Sequence, residues 1–233
     1  MQTIGTQASY FLSGGGNEKQ SFPLDKFFFE QLPQKSAFLY IPIALRGHRL
    51  FETAPVWMQG VINLHKRNDI HFETWNSFEG RTSEDLKQFS AVYLGGGNTW
   101  LLMKEVRESG FHSLLKNFLE EGGVLYGGSA GAIILGRRID THDDPNTVKW
   151  NNNEGLSFFG TLSVVCHCAS GQSARLKMWA KTHQLPILCL SENTGCIIHL
   201  DGSGVCIGEI PAVIYLPNGK MITVQPGESF SRM

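Results

Sequence analysis

The chain has 233 residues, 42% apolar and 18% charged, with a net charge of −1 and a pI of about 6.7. That size and apolar content suit a single α/β domain, residues 1–233, with a substantial core, and exclude a disordered chain. The near-neutral charge excludes the basic face that nucleic acid requires, and no uncharged apolar stretch reaches the roughly 18 residues of a membrane span.

In chain order, a first strand, Ser-Tyr-Phe-Leu-Ser, runs into Gly14-Gly15-Gly16. Pro23 to Leu32 reads as a short helix with an aromatic face. Ala37 to Ala44 is a buried strand interrupted near its end by Pro42. Phe51 to His65 carries helical spacing at Val56, Met58, Val61, Ile62 and Leu64, and Ile70 to Trp75 alternates as a strand does. Ser83 to Phe89 is a short helix with Ser83 as its cap. Ala91 to Leu94 is a strand ending in Gly95-Gly96-Gly97-Asn98-Thr99, and Trp100 to Glu121 is helical with a break near Gly110. Strand and helix alternate to this point, which predicts a mostly parallel sheet with helices on both faces.

Beyond residue 136 the pattern changes. Asp140 to Gly155 is polar and aperiodic, a loop long enough to be functional. Leu156 to Cys168 reads as a strand, Ser173 to Thr182 as a helix and Ile187 to Leu190 as a strand. From Cys196 onward the chain is short β segments with turns at Asp201-Gly202 and Asn218-Gly219. The five cysteines all lie in this part. They read as reduced, buried thiols, and Cys166-His167-Cys168 lacks a second pair at zinc spacing, so no metal is expected. With no basic region leading into an apolar run at the start of the chain, the expectation is a cytoplasmic protein without a targeting segment.

The strongest chemical signal is Gly122 to Gly136, GGVLYGGSAGAIILG. It places Gly127-Gly128-Ser129-Ala130-Gly131 between a short apolar strand and an apolar helix start. A G-x-S-x-G turn in that context holds its serine in a strained conformation with the hydroxyl pushed clear of the sheet. The following amide, on Ala130, opens a helix and faces an oxyanion on the substrate. Ser129 is therefore a candidate nucleophile, and it needs a base. Of the eight histidines, His167 is best placed, after the apolar run VVC and before a turn of small residues. His142, in the polar loop, is possible, and His199 is on a late strand. Asp140, Asp143, Asp144 and Glu192 are the acidic groups that could orient the imidazole. Glu192 follows a buried strand and Asp144 precedes a proline, and spacing alone does not choose between them. The Gly95–Gly97 turn offers a second oxyanion amide.

Tyr93-Leu94-Gly95-Gly96-Gly97-Asn98-Thr99, then Gly127-Gly128-Ser129-Ala130-Gly131-Ala132, then His167, resemble the peptidase E and cyanophycinase family, serine peptidases of the S51 type. The resemblance covers roughly residues 90 to 195 and implies a fold like that of class I glutamine amidotransferases, a flavodoxin-like three-layer α/β arrangement, here with a short β-rich C-terminal region. It implies Ser129 as nucleophile, His167 as base, Asp144 as the acid carried over by spacing with Glu192 as rival, and Gly96 or Gly97 with Ala130 as the oxyanion amides. Asn98 and Arg175 are the residues it offers for substrate binding. Aspartyl dipeptidases of the family carry a longer loop after the histidine, then a glutamate and an arginine suited to an acidic substrate. Here the segment is Cys168-Ala169-Ser170-Gly171-Gln172-Ser173-Ala174-Arg175, without that glutamate and with the arginine displaced.

The expected activity is hydrolysis of short peptides through an acyl-enzyme, with no metal or organic cofactor. Neither nucleic acid nor membrane is expected as a partner, and the protein is a monomer or a homodimer. An esterase or amidase on a non-peptide acyl group, and a non-catalytic binding protein of the same fold, are the alternatives.

Overall fold

The structure is a computed structural model that describes residues 9–233; what the sequence implies for the first eight residues lies outside that range. Five short runs, all apolar but the alternating third, form parallel strands: β1 (Ser9–Ser13), β2 (Ala37–Ile41), β3 (His71–Thr74), β4 (Ala91–Leu94) and β5 (Val124–Gly128). They lie in the order β1-β5-β4-β2-β3. β4 is buried at every position and β5 at all but its first, as strands covered on both faces are.

Helices connect them: α1 (Phe22–Gln31), α2 (Ala54–Leu64), α3 (Ser83–Leu86), α4 (Thr99–Glu108) and α5 (Phe111–Glu120), with α6 (Ala130–Leu135) after β5. Ile43–Leu45, after Pro42, is a 3-10 turn that ends the second apolar run. α1 and α2 cover one face of the sheet, where Phe28, Phe29, Met58 and Ile62 pack on Phe11, Phe38 and Tyr126. α3 to α6 cover the other, where Leu102, Met103, Phe111, Leu115 and Ile134 pack on Leu39, Val92 and Leu125. The helical region after β4 divides at Gly110, which has a φ of 76°, a left-handed value that glycine adopts without strain. The cap of α3 is Thr82 rather than Ser83. Thr82 forms a capping box with Asp85, which satisfies N–H groups that the helix itself leaves free.

The C-terminal region contributes to two sheets. β8 (Thr194–His199), β9 (Gly204–Gly208) and β12 (Ser229–Phe230) extend the main sheet beyond β1 as antiparallel strands. β6 (Ser163–Val165), β7 (Ile187–Cys189), β10 (Ala212–Tyr215) and β11 (Met221–Val224) form a second, four-stranded sheet in the order β11-β10-β7-β6. Val164, Leu188 and Ile214 of this sheet join the same core as Ile134 and Leu135 of α6, so it stacks on the helical layer side. α7 (Ser173–His183) closes its outer face through Leu176 and Ala180.

The strand expected over residues 156–168 is only three residues long. The preceding stretch is used otherwise: Leu156 N–H donates to Ile134 O (2.7 Å), Ser157 N–H to Gly136 O (2.9 Å) and Phe158 N–H to Leu135 O (3.0 Å). An apolar segment thus satisfies the open carbonyls at the carboxyl end of α6 instead of pairing in a sheet. Among the described residues no helix is long and apolar enough to cross a membrane.

Candidate active site

Ser129 lies at the carboxyl edge of the parallel sheet, between β5 and α6. Its φ of 49° and ψ of −109° fall outside the regions open to an L-residue, a strain of about 1–3 kcal/mol that the surroundings must hold. Two features hold it. Ser129 N–H donates to Ser13 O at the end of β1 (3.1 Å). On the other side Gly131 sits so close to β4 that a Cβ there would overlap the carbonyl of Leu94. The turn is therefore clamped between the two strands that flank β5.

His167 and Glu192 come from the second sheet. β6 and β7 are parallel neighbours in the register Val165↔Cys189, so the segments leaving them emerge side by side. Backbone contacts continue past the strands: Leu190 N–H donates to Val165 O (2.9 Å) and Cys168 N–H to Leu190 O (3.1 Å). His167 N–H donates to Gly14 O (3.0 Å), and the residue holds a φ of 53°. The result is a continuous line of contacts. Ser129 Oγ lies 2.8 Å from His167 Nε2, and His167 Nδ1 lies 3.1 Å from Glu192 Oε1. The other carboxylate oxygen, Oε2, accepts from Gln20 Nε2 at 2.9 Å, and the same amide reaches Asn193 Oδ1 at 3.1 Å. The contact with His167, and after it the one with Gln20, hold the Glu192 carboxyl below its ordinary pKa. The His167 and Glu192 side chains are 50% and 46% exposed, so water can reach the pair.

Asp144, the rival acid carried by spacing, makes its contacts elsewhere, at the start of α4 and against His142. Its Oδ2 accepts the N–H of Thr99, the first residue of α4, at 2.8 Å, while Asn98 Oδ1 accepts from Leu101 N–H at 2.9 Å. A carboxylate at the amino end of a helix satisfies a free N–H and complements the helix dipole. The polar loop is pinned there by Trp100 Nε1 to Asp144 O (3.0 Å) and Asn98 Nδ2 to Pro145 O (2.9 Å). His142 belongs to this cluster, against Asp144 and the ring of Trp100, and burial lowers its pKa. Asn98 is therefore engaged as a helix cap. Arg175 is exposed and donates to Thr141 O at 3.4 Å. Neither lines the cavity beside Ser129.

Gly96 and Gly97 do face that cavity, and a Cβ on Gly96 would lie only 3.2 Å from Ser129 Cβ. Ala130 opens α6, so its N–H has no carbonyl one turn back within the helix. The cysteine expectation is corrected in one pair. Cys168 and Cys189 form a disulfide, with Cα atoms 6.0 Å apart, because the β6–β7 register brings their strand ends together. Cys166, Cys196 and Cys206 are free and buried.

Two residues of the site carried no functional signal in the sequence. Gln20 sits in a polar turn and meets Glu192 only across 172 positions. Gly15, with a φ of 101°, leaves the space that the His167 ring fills: a Cβ there would overlap Cε1. The run Gly14-Gly15-Gly16 was the one visible trace, because three glycines leaving a buried strand mark a close approach.

Ser129 on a strained strand-to-helix turn, His167 at its hydroxyl and Glu192 at His167 lie in the spatial order of a nucleophile, a base and an acid. The model of peptidase family S51 matches residues 10–207. The chain belongs to that family and is a serine-type peptidase. It is 25% identical over 205 residues to a probable alpha-aspartyl dipeptidase of Drosophila melanogaster, covering 81% of this chain and 79% of that protein. It is 22% identical over 157 residues to peptidase E of Shewanella putrefaciens, covering 64% of this chain and 66% of that one. In fold it is similar to a peptidase from an acI-B1 Actinobacterium, with a TM-score of 0.70 at 20% identity over 97% of both chains. A putative peptidase E of Listeria monocytogenes gives 0.64 at 18% identity, over 94% of this chain and 98% of that one.

Proposed function

We propose that the protein hydrolyses short peptides through an acyl-enzyme formed on Ser129, with His167 as general base and acid and Glu192 as the group that orients it. The observation that carries this reading is the unbroken line from Ser129 Oγ through both nitrogens of His167 to Glu192, at 2.8 and 3.1 Å. Glu192 accepts a hydrogen bond from the Nδ1–H of His167, which fixes the tautomer that leaves the lone pair of Nε2 facing the serine hydroxyl. Ser129 Oγ attacks the scissile carbonyl carbon as its proton passes to Nε2. The carbonyl oxygen becomes an oxyanion, received by the N–H groups of Ala130 and of Gly96 or Gly97; each such donor contributes about 3–4 kcal/mol in well-studied cases. The C–N bond then breaks, and Nε2 returns the proton to the departing amine. Water, deprotonated by the same nitrogen, attacks the ester, and the acid leaves with Ser129 restored.

Short substrates are favoured by the size of the cavity beside Ser129, about 320 Å³, at the small end of the range for ligand sites. The reading is tested with a library of N-terminal dipeptide amides, cleaved in parallel by the native chain and by Ser129→Ala. Cleavage of a subset by the native protein alone is the expected result. Cleavage of esters but of no amide would replace it with a non-peptide acyl hydrolase.

A further inference from the structure

The cavity next to Ser129 and His167 has an aromatic and aliphatic wall. Trp57 of α2 stands edge-on to Tyr93 at the end of β4, with ring centroids 6.5 Å apart and an interplanar angle of 73°. It also leans on Tyr40, 6.3 Å away. Leu50, 49% exposed, completes the wall at the mouth. The lining also includes small residues, Ser13, Gly15, Gly16 and Ser21. Among the described residues that line it, none is a lysine, arginine, aspartate or glutamate. Behind Ser21 of this lining lies a buried acid, Asp25, 1% exposed, whose carboxylate is taken up by Ser21 Oγ (2.7 Å) and the Tyr126 hydroxyl. Burial raises its pKa to about 6. Its sign is unsuited to a second carboxylate placed nearby.

Granted that Ser129 is the acylated residue, we propose that this cavity takes the side chain on the acyl side of the scissile bond and selects an uncharged, apolar one, such as leucine, methionine or phenylalanine, against aspartate. An aspartate side chain entering here leaves water without a cationic partner, and desolvating an unpaired carboxylate is strongly unfavourable. An apolar side chain loses only ordered water and gains contact with Trp57, Tyr93 and Leu50. The specificity determinant is therefore the Trp57–Tyr93–Leu50 wall, contributed by α2, β4 and the segment before α2.

The test compares aminoacyl amides that differ only in the acyl-side residue, with leucine, methionine, phenylalanine and aspartate. The expected kcat/KM ratio of leucine to aspartate is on the order of 100-fold, and Trp57→Ala lowers kcat/KM for phenylalanine more than for aspartate. Leu50→Arg, at an exposed position, places a cation at the mouth and raises aspartate relative to leucine by about 10-fold. Equal or better use of aspartate by the native chain overturns the proposal. So does a leucine-to-aspartate ratio that neither Trp57→Ala nor Leu50→Arg moves. Should no amide be cleaved, calorimetric titration of Ser129→Ala with Leu-Ala and Asp-Ala decides the matter: tighter Leu-Ala supports the cavity assignment and tighter Asp-Ala overturns it. The lack of cleavage itself would count against the peptidase reading and leave the titration to judge the cavity alone.

Discussion

The nucleophile turn and the histidine–glutamate pair are built on opposite principles. Ser129 is held by neighbours close to it in the parallel sheet: Ser13 O on one side and the near contact of Gly131 with Leu94 on the other. Its conformation follows from five consecutive small residues, Gly127 to Gly131, that span the end of β5 and the start of α6. His167 and Glu192 owe their meeting to the β6–β7 register and to contacts with Gly14 and Gln20, which come from the first strand's exit. One half of the site is thus local and rigid. The other is assembled from three distant segments and stays half-exposed. A local device is readable and robust; an assembled one is open to disruption from far away in sequence.

That contrast can be broken most directly at the base. His167→Ala is expected to lower kcat on the order of 10⁴-fold, with the thermal midpoint unchanged because the side chain is half-exposed. Steady-state kinetics beside a melting curve check this; a large fall in midpoint would make His167 a structural residue.

The parallel half hides its carboxylate, whereas the assembled half exposes its own. Asp25 has a pKa raised from 3.8 to about 6 by burial, against the lowering effect of its bonds to Tyr126 and Ser21. A carboxyl raised in the folded state favours folding most below its unfolded value and loses that advantage as pH rises through the folded value. The window is therefore pH 4 to 6, and the change is about 3 kcal/mol. Urea unfolding of the native chain and of Asp25→Asn across that window should show the difference between them shrinking by that amount in the native chain's disfavour. A constant difference would mean that the Asp25 carboxyl titrates alike in the folded and unfolded chains, and that burial does not raise its pKa.

Gly15→Ala tests the assembled half from the strand that precedes it. The added methyl overlaps the His167 ring, and displacing a base by about 1 Å costs on the order of 100-fold. We expect that loss in kcat/KM with circular dichroism unaltered. Retained activity would show that the ring finds another rotamer that still reaches Ser129.

The smallest effects separate the two acids. Glu192→Gln should reduce kcat by roughly 10- to 100-fold, less than for a buried triad carboxylate, since this pair is solvated. Asp144→Ala should leave kcat within about threefold but lower the midpoint by about 2–4 °C, the effect of losing a helix cap worth about 1 kcal/mol. Reversal of the two outcomes would return the acid role to Asp144.

Much of this molecule follows from short-range pattern. The five parallel strands, their helices, the break at Gly110 and the elbow at Ser129 were legible because period, glycine placement and capping act within a few residues. Thr82 in place of Ser83 as the cap of α3 is a shift of one position, settled by side-chain geometry. The strand expected from 156 failed for a different reason: open carbonyls at the end of α6 compete for its N–H groups, and only packing reveals that competitor. The same holds for the site. Ser129 and His167 stand out by their surroundings in the chain, but the choice between Asp144 and Glu192, the disulfide between Cys168 and Cys189, and the roles of Gln20 and Gly15 depend on strand register. Register is a long-range property, set by which strands pair and how their ends align, and no spacing within one segment encodes it.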